Sequence, residues 1–266
     1  MNPPIILNTV EDVFRELPII SEHPDIKRYR SHYLYRGLPN SKYDLRTSLE
    51  RNCGGQQEKL EKCILRNFAK YASIIENPYL INSVWQQLIV GQHHGLPTRM
   101  LDWTCSSLVA LHFAMAEESL KELDQHDCAI WAINVDEIND LLPADYKAIL
   151  DKEQARMFTT DMLKDIALDK YDSDMGDQSF IILEPPSIDE RIVNQYSYFS
   201  VMPTGIKDFE AFLKNKTSKS FQYIISKDIR WQLRDTLDNM NINERIMFPG
   251  YDGLCKWLKR YYFSRI

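Results

Sequence analysis

The stretch Gln92–Ala114, QHHGLPTRMLDWTCSSLVALHFA, concentrates the polar side chains of the chain in one turn between two apolar segments. Gly95 and Pro97 predict the end of a preceding helix, because proline cannot donate the helical hydrogen bond and restricts the residue before it. A second helix is predicted to follow, with a threonine or serine of segment 104–107 as its N-cap. Such a turn holds functional side chains on a rigid base, or it is a polar brace between two helices.

Composition limits the class of protein. The chain has 266 residues, of which 44% are hydrophobic, so it can fill a sizeable core. Its net charge of −6 gives no global signal for nucleic acid, although a local basic groove stays open. No apolar run reaches membrane-spanning length, and the N-terminal segment lacks the parts of a signal peptide. We therefore expect a cytoplasmic protein that does not contact a membrane.

The cysteines and histidines do not predict a metal site. Five scattered cysteines without a CxxC pair indicate reduced thiols, mostly in the core. The adjacent His93 and His94 point about 100° apart on a helix, so they do not form a two-ligand pair. At most one of these two histidines is expected to be a site residue.

Hydrophobic periodicity predicts a mixture of helices and strands. The predicted helices are 9–17, 56–75, 80–92, 153–169, 206–213, 229–240 and 251–263. The predicted strands are 32–39, 128–135, 179–184, 196–202 and 221–225. Segment 171–178 is predicted to be an acidic loop. Together these elements predict one α+β domain over residues 1–266, with a mixed central sheet and a helical insertion (about 56–95) after the first strand.

Arg36 lies at the end of the predicted strand 32–39, among large side chains. Burying an unpaired guanidinium is costly, so this arginine must be paired or must face a cleft. The sequence leaves open whether it forms a structural ion pair or binds a ligand.

Several segments together resemble the FRG domain family. They are Tyr35-Arg36-Gly37, the central block 92–114, Arg191–Gln195 with Phe199, and Phe248–Leu254. The resemblance runs in register over roughly residues 30 to 260. Two departures are His94, where an aromatic residue is usual, and Cys-Ser-Ser at 105–107, where Asn-Pro is more typical. The resemblance favours a cleft formed by Arg36, the central turn and Gln195.

The order of these features also resembles the layout of ADP-ribosyltransferases. That layout places an arginine at the end of an early strand, a hydroxyl residue on a strand that leads into a helix, and an acidic or amide residue later. It implies an ADP-ribosyltransferase-like fold that uses NAD as substrate, with Arg36, Thr104 and Gln195 as catalytic residues. The further residues expected to bind NAD are Tyr35, Gly37, His93, Thr98, Arg99, Asp102 and Phe199. The chain has no glycine-rich GxGxxG motif, which excludes a Rossmann mode of binding.

Each group has an expected part in this chemistry. The Arg36 fork would bind a phosphate or ribose. Thr104 or Thr98 would hold the nicotinamide ribose, and Tyr35 or Phe199 would stack on nicotinamide.

The third catalytic position is open between an amide and a carboxylate. Gln195 can orient a ribose hydroxyl but cannot act as a base. Glu184, Glu190 and Asp102 are the alternatives for a carboxylate that opposes the positive charge of an oxocarbenium-like state. Enzyme status therefore stays open at this point.

Two other function classes fit the same residues. One is a non-catalytic module whose cleft binds a nucleotide, a nucleic-acid end or a protein segment, since aromatic rings beside arginine suit stacking on a base. The other is a scaffold in which the central turn only holds the fold. The family resemblance implies a bacterial or phage setting and a toxin or phage-defence role, with an unknown protein or nucleic-acid target.

Overall fold

The computed structural model describes residues 3–23, 26–72, 83–116 and 120–264. Within these ranges the strands, named β1 to β9 in chain order, are Ile5–Leu7, Ser21–His23, Arg28–Arg30, Tyr33–Leu38, Met100–Thr104, Cys128–Asn134, Ile181–Leu183, Ser197–Val201 and Phe221–Ile225. The helices, named α1 to α13, are Val10–Glu16, Ser48–Cys53, Gln57–Ala72, Val84–His93, Ser107–Ala114, Val135–Asp140, Ala144–Glu153, Leu168–Met175, Glu190–Asn194, Phe209–Lys216, Arg230–Asn239, Glu244–Met247 and Tyr251–Tyr261. The predicted helix ends at 73–75 and 80–82 lie outside the described residues.

Seven strands form one sheet in the order β1-β9-β6-β4-β5-β8-β7, while β2 and β3 pair separately. The pairing of β1 with β9 is parallel, and the other neighbours in the large sheet are antiparallel. The prediction of an α+β chain with a mixed central sheet is therefore confirmed. All seven residues of β6 are buried, as expected for a strand with neighbours on both sides and covered faces.

Alternation along β4 sends its side chains into two different cores. Leu34 and Leu38 pack with Trp103 and Trp131 on one face. Tyr35 points to the other face, into a core formed with residues of α5 and α11. Both faces of the sheet are thus covered, and β4 lies between the two cores.

Helix α5 packs unusually close to β4 because of Gly37. A Cβ atom at this position would lie 2.0 Å from the backbone oxygen of Ala110 and 2.5 Å from the backbone nitrogen of Ala114. Ser106 is the N-cap of α5, and its hydroxyl accepts a hydrogen bond from the backbone nitrogen of Val109. The predicted turn from β5 into an apolar helix is present at this point.

Several predicted elements differ from the observed ones. Three short strands precede Tyr33–Leu38, so the helices α2 to α4 are inserted after the fourth strand and not the first. The prediction of a helix over 153–169 is wrong, since α7 ends at Glu153 and α8 begins at Leu168. Much of the predicted acidic loop is helix α8, because Tyr171 and Met175 bury one of its faces.

The cysteines are all free, as predicted, but they are not mostly in the core, since Cys128 alone is buried. In the described ranges, no helix has both the length and the apolar character needed to cross a membrane.

Candidate functional site

A cavity opens in the large sheet where β4 and β5 separate. Among the described residues these strands share one paired position, Tyr35 with Thr104. In contrast, β4 pairs with β6 over six residues and β5 pairs with β8 over five. The cavity has a volume of about 360 Å³, and its lining includes Arg36, Thr104 and Gln195. The three residues predicted as catalytic, which are far apart in the sequence, are therefore brought together.

Arg36 reaches across the gap between the two strands. Its Nη1 donates to the backbone oxygen of Asp102 at 2.7 Å, and the Asp102 carboxylate lies 3.5 Å away. Burial lowers the pKa of the Arg36 guanidinium, whereas the Asp102 carboxylate raises it. Within the part of the chain that the structure describes, Nη2 of Arg36 has no protein acceptor. Those donors are available to a ligand in the cavity.

Asp102 is held by a relay of two side chains. The Thr98 hydroxyl donates to Oε1 of Gln92 at 2.5 Å, and Nε2 of Gln92 donates to the Asp102 carboxylate at 2.9 Å. The hydroxyl therefore fixes the orientation of the Gln92 amide, whose nitrogen faces the carboxylate. More than half of the Asp102 side chain is exposed, so the carboxylate is positioned and still accessible.

Gln195 and Thr104 also line the cavity, and both side chains are partly engaged in hydrogen bonds. Nε2 of Gln195 donates to the backbone oxygen of Met247 at 2.8 Å, which leaves Oε1 as the free end of the amide. The Thr104 hydroxyl accepts from the backbone nitrogen of Ser106 at 3.1 Å, at the turn into α5. A local hydrogen bond thus orients the Thr104 hydroxyl, and a hydrogen bond to a distant part of the chain orients the Gln195 amide.

Arg191 supplies a second guanidinium, although it was not among the residues predicted to bind NAD. It lines the cavity from α9, and its guanidinium lies 5.0 Å from the centre of the Phe248 ring. Phe113 supplies an aromatic side chain to the same lining. Among the described residues, the charged groups of the lining are Arg36, Arg191 and Asp102. Two cations against one carboxylate favour an anionic ligand.

A family model describes part of this site. The FRG domain model matches residues 31–122. The chain contains an FRG domain. The match covers β4, the inserted helices, β5 and α5, and therefore Arg36, Asp102 and Thr104. Arg191 and Gln195 lie beyond it, so the cavity is completed by the following part of the chain. No curated protein and no solved structure matches the chain.

Two ionisable side chains of the FRG domain that were predicted to bind NAD, Arg99 and His93, lie outside the cavity lining. The guanidinium of Arg99 is bound by Glu61 and by Asp172, the latter at 2.6 Å, and it is almost fully buried. The His93 imidazole lies 2.5 Å from the Asp189 carboxylate, and its pKa is lowered because burial disfavours the charged ring. Both side chains are satisfied by protein partners.

The aromatic rings predicted to stack on nicotinamide are packed inside the protein. Phe199 is buried in a core beside β7. Tyr35 contributes to the lining, but its ring is buried and its hydroxyl accepts from the backbone nitrogen of Ile19 at 3.0 Å. The lining also includes Trp103 and Phe113. Trp103 is buried and its indole nitrogen donates to the Ser200 hydroxyl, so Phe113 is the ring that the structure offers in their place.

The remaining predicted positions divide between the lining and its surroundings. Gly37 lines the cavity, whereas Thr98 is buried behind Gln92. Glu184 and Glu190 are exposed and are not part of the lining. In the described ranges, no group of three or more His, Cys, Asp or Glu side chains lies close enough to hold a metal ion.

Proposed function

We propose that the cavity binds NAD and that the protein is an ADP-ribosyltransferase acting on a macromolecular acceptor. The observation that carries this proposal is the meeting of Arg36, Thr104 and Gln195 in one cavity of about 360 Å³. That volume lies within the range of small-molecule sites. An ADP-ribosyltransferase-like fold is part of the proposal, as is a toxin or phage-defence role.

The two arginines support a dinucleotide as the ligand. A guanidinium offers several donors in a planar fork that fits phosphate oxygens. Arg36 and Arg191 approach the cavity from different elements, β4 and α9. The oxygens of a pyrophosphate between these two arginines would accept hydrogen bonds from the Arg36 donors that do not bind Asp102.

Asp102 is the residue that we assign to the chemical step. The bond between ribose C1′ and nicotinamide N1 breaks, and its electron pair leaves with nicotinamide. A nucleophilic oxygen or nitrogen of the acceptor forms the new bond to C1′ and releases a proton, which the Asp102 carboxylate accepts. The same negative charge opposes the positive charge that develops on the ribose. Gln92 is a positioning residue, since its amide nitrogen holds the carboxylate.

Gln195 and Thr104 have binding roles in this scheme. An amide cannot take the proton, but the Oε1 of Gln195 can accept from a ribose hydroxyl. Thr104 also lines the cavity, at the start of the turn into α5, and would contact the same sugar.

A binding titration and a nicotinamide-release assay test the proposal, with water as acceptor. We expect Arg36→Gln to weaken NAD binding about thirty-fold or more, which corresponds to a loss of about 2 kcal/mol. Asp102→Asn should keep NAD binding within about three-fold and lower nicotinamide release about 100-fold or more, the usual effect of removing a general base.

The matched control is Arg46→Gln, which removes an exposed arginine that pairs with Asp44 outside the cavity. It should leave binding and release unchanged. A folded wild-type protein that neither binds nor cleaves NAD would overturn the proposal.

A second function, a non-catalytic nucleotide-binding module, is favoured by one observation. Gln195 is an amide whose nitrogen donates to the backbone of Met247, and an amide cannot act as a general base. This candidate predicts that NAD and ADP-ribose bind with similar affinity and that nicotinamide is never released.

A further inference from the structure

Helix α13 directs aromatic and basic side chains away from the protein. Of its eleven residues, only Gly253 and Arg260 are buried. Tyr251, Tyr261 and Tyr262 are 85%, 56% and 77% exposed. We propose that this surface, called here the α13 face and formed by these three tyrosines with Lys256 and Lys259, binds single-stranded nucleic acid.

The α13 face is connected to the cavity through Phe248. The Lys256 ammonium lies 5.5 Å from the centre of the Phe248 ring, and the Arg191 guanidinium lies 5.0 Å from it. Phe248 meets Phe113 edge to face, at 6.2 Å between ring centres. Because Arg191 and Phe113 line the cavity, a bound strand could pass from the α13 face directly to the cavity mouth.

The spacing of the basic residues gives the surface a direction. Lys256, Lys259 and the C-cap residue Tyr262 follow one another at intervals of three residues, so neighbours in the row lie about 60° apart around the helix and the row turns by about 120°. From Lys256 to Tyr262 this row extends roughly 9 Å along the helix axis. The row leads away from Phe248 and ends at an exposed ring.

Charge supports a polyanion as the occupant. The chain as a whole has a net charge of −6, yet α13 has three cations and one carboxylate, Asp252. The Arg260 guanidinium already forms ion pairs with Asp238 and Glu244. In the described part of the chain, neither Lys256 nor Lys259 has a carboxylate within ion-pair distance.

Exposed tyrosine rings favour nucleic acid over an acidic protein segment. A strand of nucleic acid offers phosphates to the lysines and flat bases to the rings, and such stacking tolerates any sequence. An acidic peptide uses the lysines but gains little from the rings. A nucleic acid bound here would be the acceptor in the proposed transfer, and that role rests on the proposed function. The binding itself does not require NAD.

Fluorescence anisotropy of a labelled single-stranded 15-mer, as DNA and as RNA, tests the inference with the full chain and without NAD. We expect binding that weakens roughly 7- to 20-fold between 50 and 200 mM KCl, from two or three phosphate contacts. Lys256→Glu with Lys259→Glu should weaken binding at least ten-fold, and Tyr262→Ala about five-fold or more. Each substituted side chain is exposed, and unchanged melting curves would verify the fold.

The matched control is Lys152→Glu with Lys164→Glu, which makes the same change in net charge at exposed positions outside the α13 face and the cavity. Its binding should stay within two-fold of the wild type.

Three outcomes would overturn the inference. The first is no oligonucleotide binding by the wild type. The second is equal binding of a fluorescent 15-residue polyglutamate, which would assign the surface to an acidic protein. The third is a dimer in sedimentation that Tyr262→Ala abolishes, which would assign it to a second copy of the chain. Absence of NAD cleavage would not change these readouts, so the two proposals fail separately.

Discussion

Replacing Arg99 by leucine should destabilise the protein far more than replacing the cavity arginine. The Arg99 side chain is 8% exposed and contacts the carboxylates of Glu61 and Asp172, which are 4% and 16% exposed. Arg99→Leu leaves both carboxylates in this environment without their cation. Breaking a buried ion pair in this way costs about 3–5 kcal/mol. At about 2–4 °C per kcal/mol for a chain of this size, the melting temperature should fall by roughly 6–20 °C.

Urea unfolding followed by tryptophan fluorescence measures this cost, with Arg36→Gln as the comparison. Arg36 has one hydrogen bond to the backbone of Asp102 and a partly exposed side chain, so its replacement should cost about 1 kcal/mol. A further variant, Arg99→Leu with Glu61→Met, removes one of the stranded charges and should recover part of the loss.

The reasoning would be refuted if Arg99→Leu changed the free energy of unfolding by less than about 1 kcal/mol. It would also be refuted if the double variant were no more stable than the single one. A stable Arg99→Leu protein that had lost NAD binding would instead return Arg99 to the list of binding residues.

Two more predictions concern packing and pH. Gly37→Ala should destabilise the protein by about 1–3 kcal/mol, because the new methyl group meets the backbone of Ala110; an unchanged thermal melt would contradict this. His112 is buried, and burial together with Arg234 lowers its pKa to about 3. The unfolded chain therefore takes up the proton first. Stability that is complete well above pH 6.5 should fall by about 2 kcal/mol by pH 5, with a slope that approaches about 1.4 kcal/mol per pH unit below pH 6.5. His112→Gln should flatten this part of the stability curve, and an equal slope in both proteins would refute the assignment.

The sequence predicted the parts of the fold that have strong local patterns. The strand at 128–135 is β6 within one residue, because a run of apolar residues bounded by polar ones marks a buried strand. The strands at 196–202 and 221–225 and the helices at 229–240 and 251–263 are also present at nearly the predicted positions. Strands β1 to β3 have three residues each, which is too short for any periodicity to be recognised.

The parts that were missed depend on contacts between distant residues. Arg36 and Arg99 both lie beside turns, in motifs that resemble the FRG domain family. Only the residues that contact each guanidinium show which arginine faces the cavity. Glu61 and Asp172, which bind Arg99, are 38 and 73 residues away in the sequence. In the same way, no local pattern indicates that Arg191 reaches the cavity or that Gln92 holds Asp102. The resemblance to a family predicted which segments form the cavity, but it did not predict which side chain of each segment faces it.

The boundary of the recognised domain does not coincide with a unit that can fold. Segment 31–122 contains β4 and β5 but not β6, which supplies six of the paired positions of β4, nor β8, which supplies five of those of β5. A protein cut at the limits of the family match would have two strands joined at a single position, with their other edges open to water. Truncation studies, chimaeras and directed screens on this domain therefore need the polypeptide through at least the ninth strand.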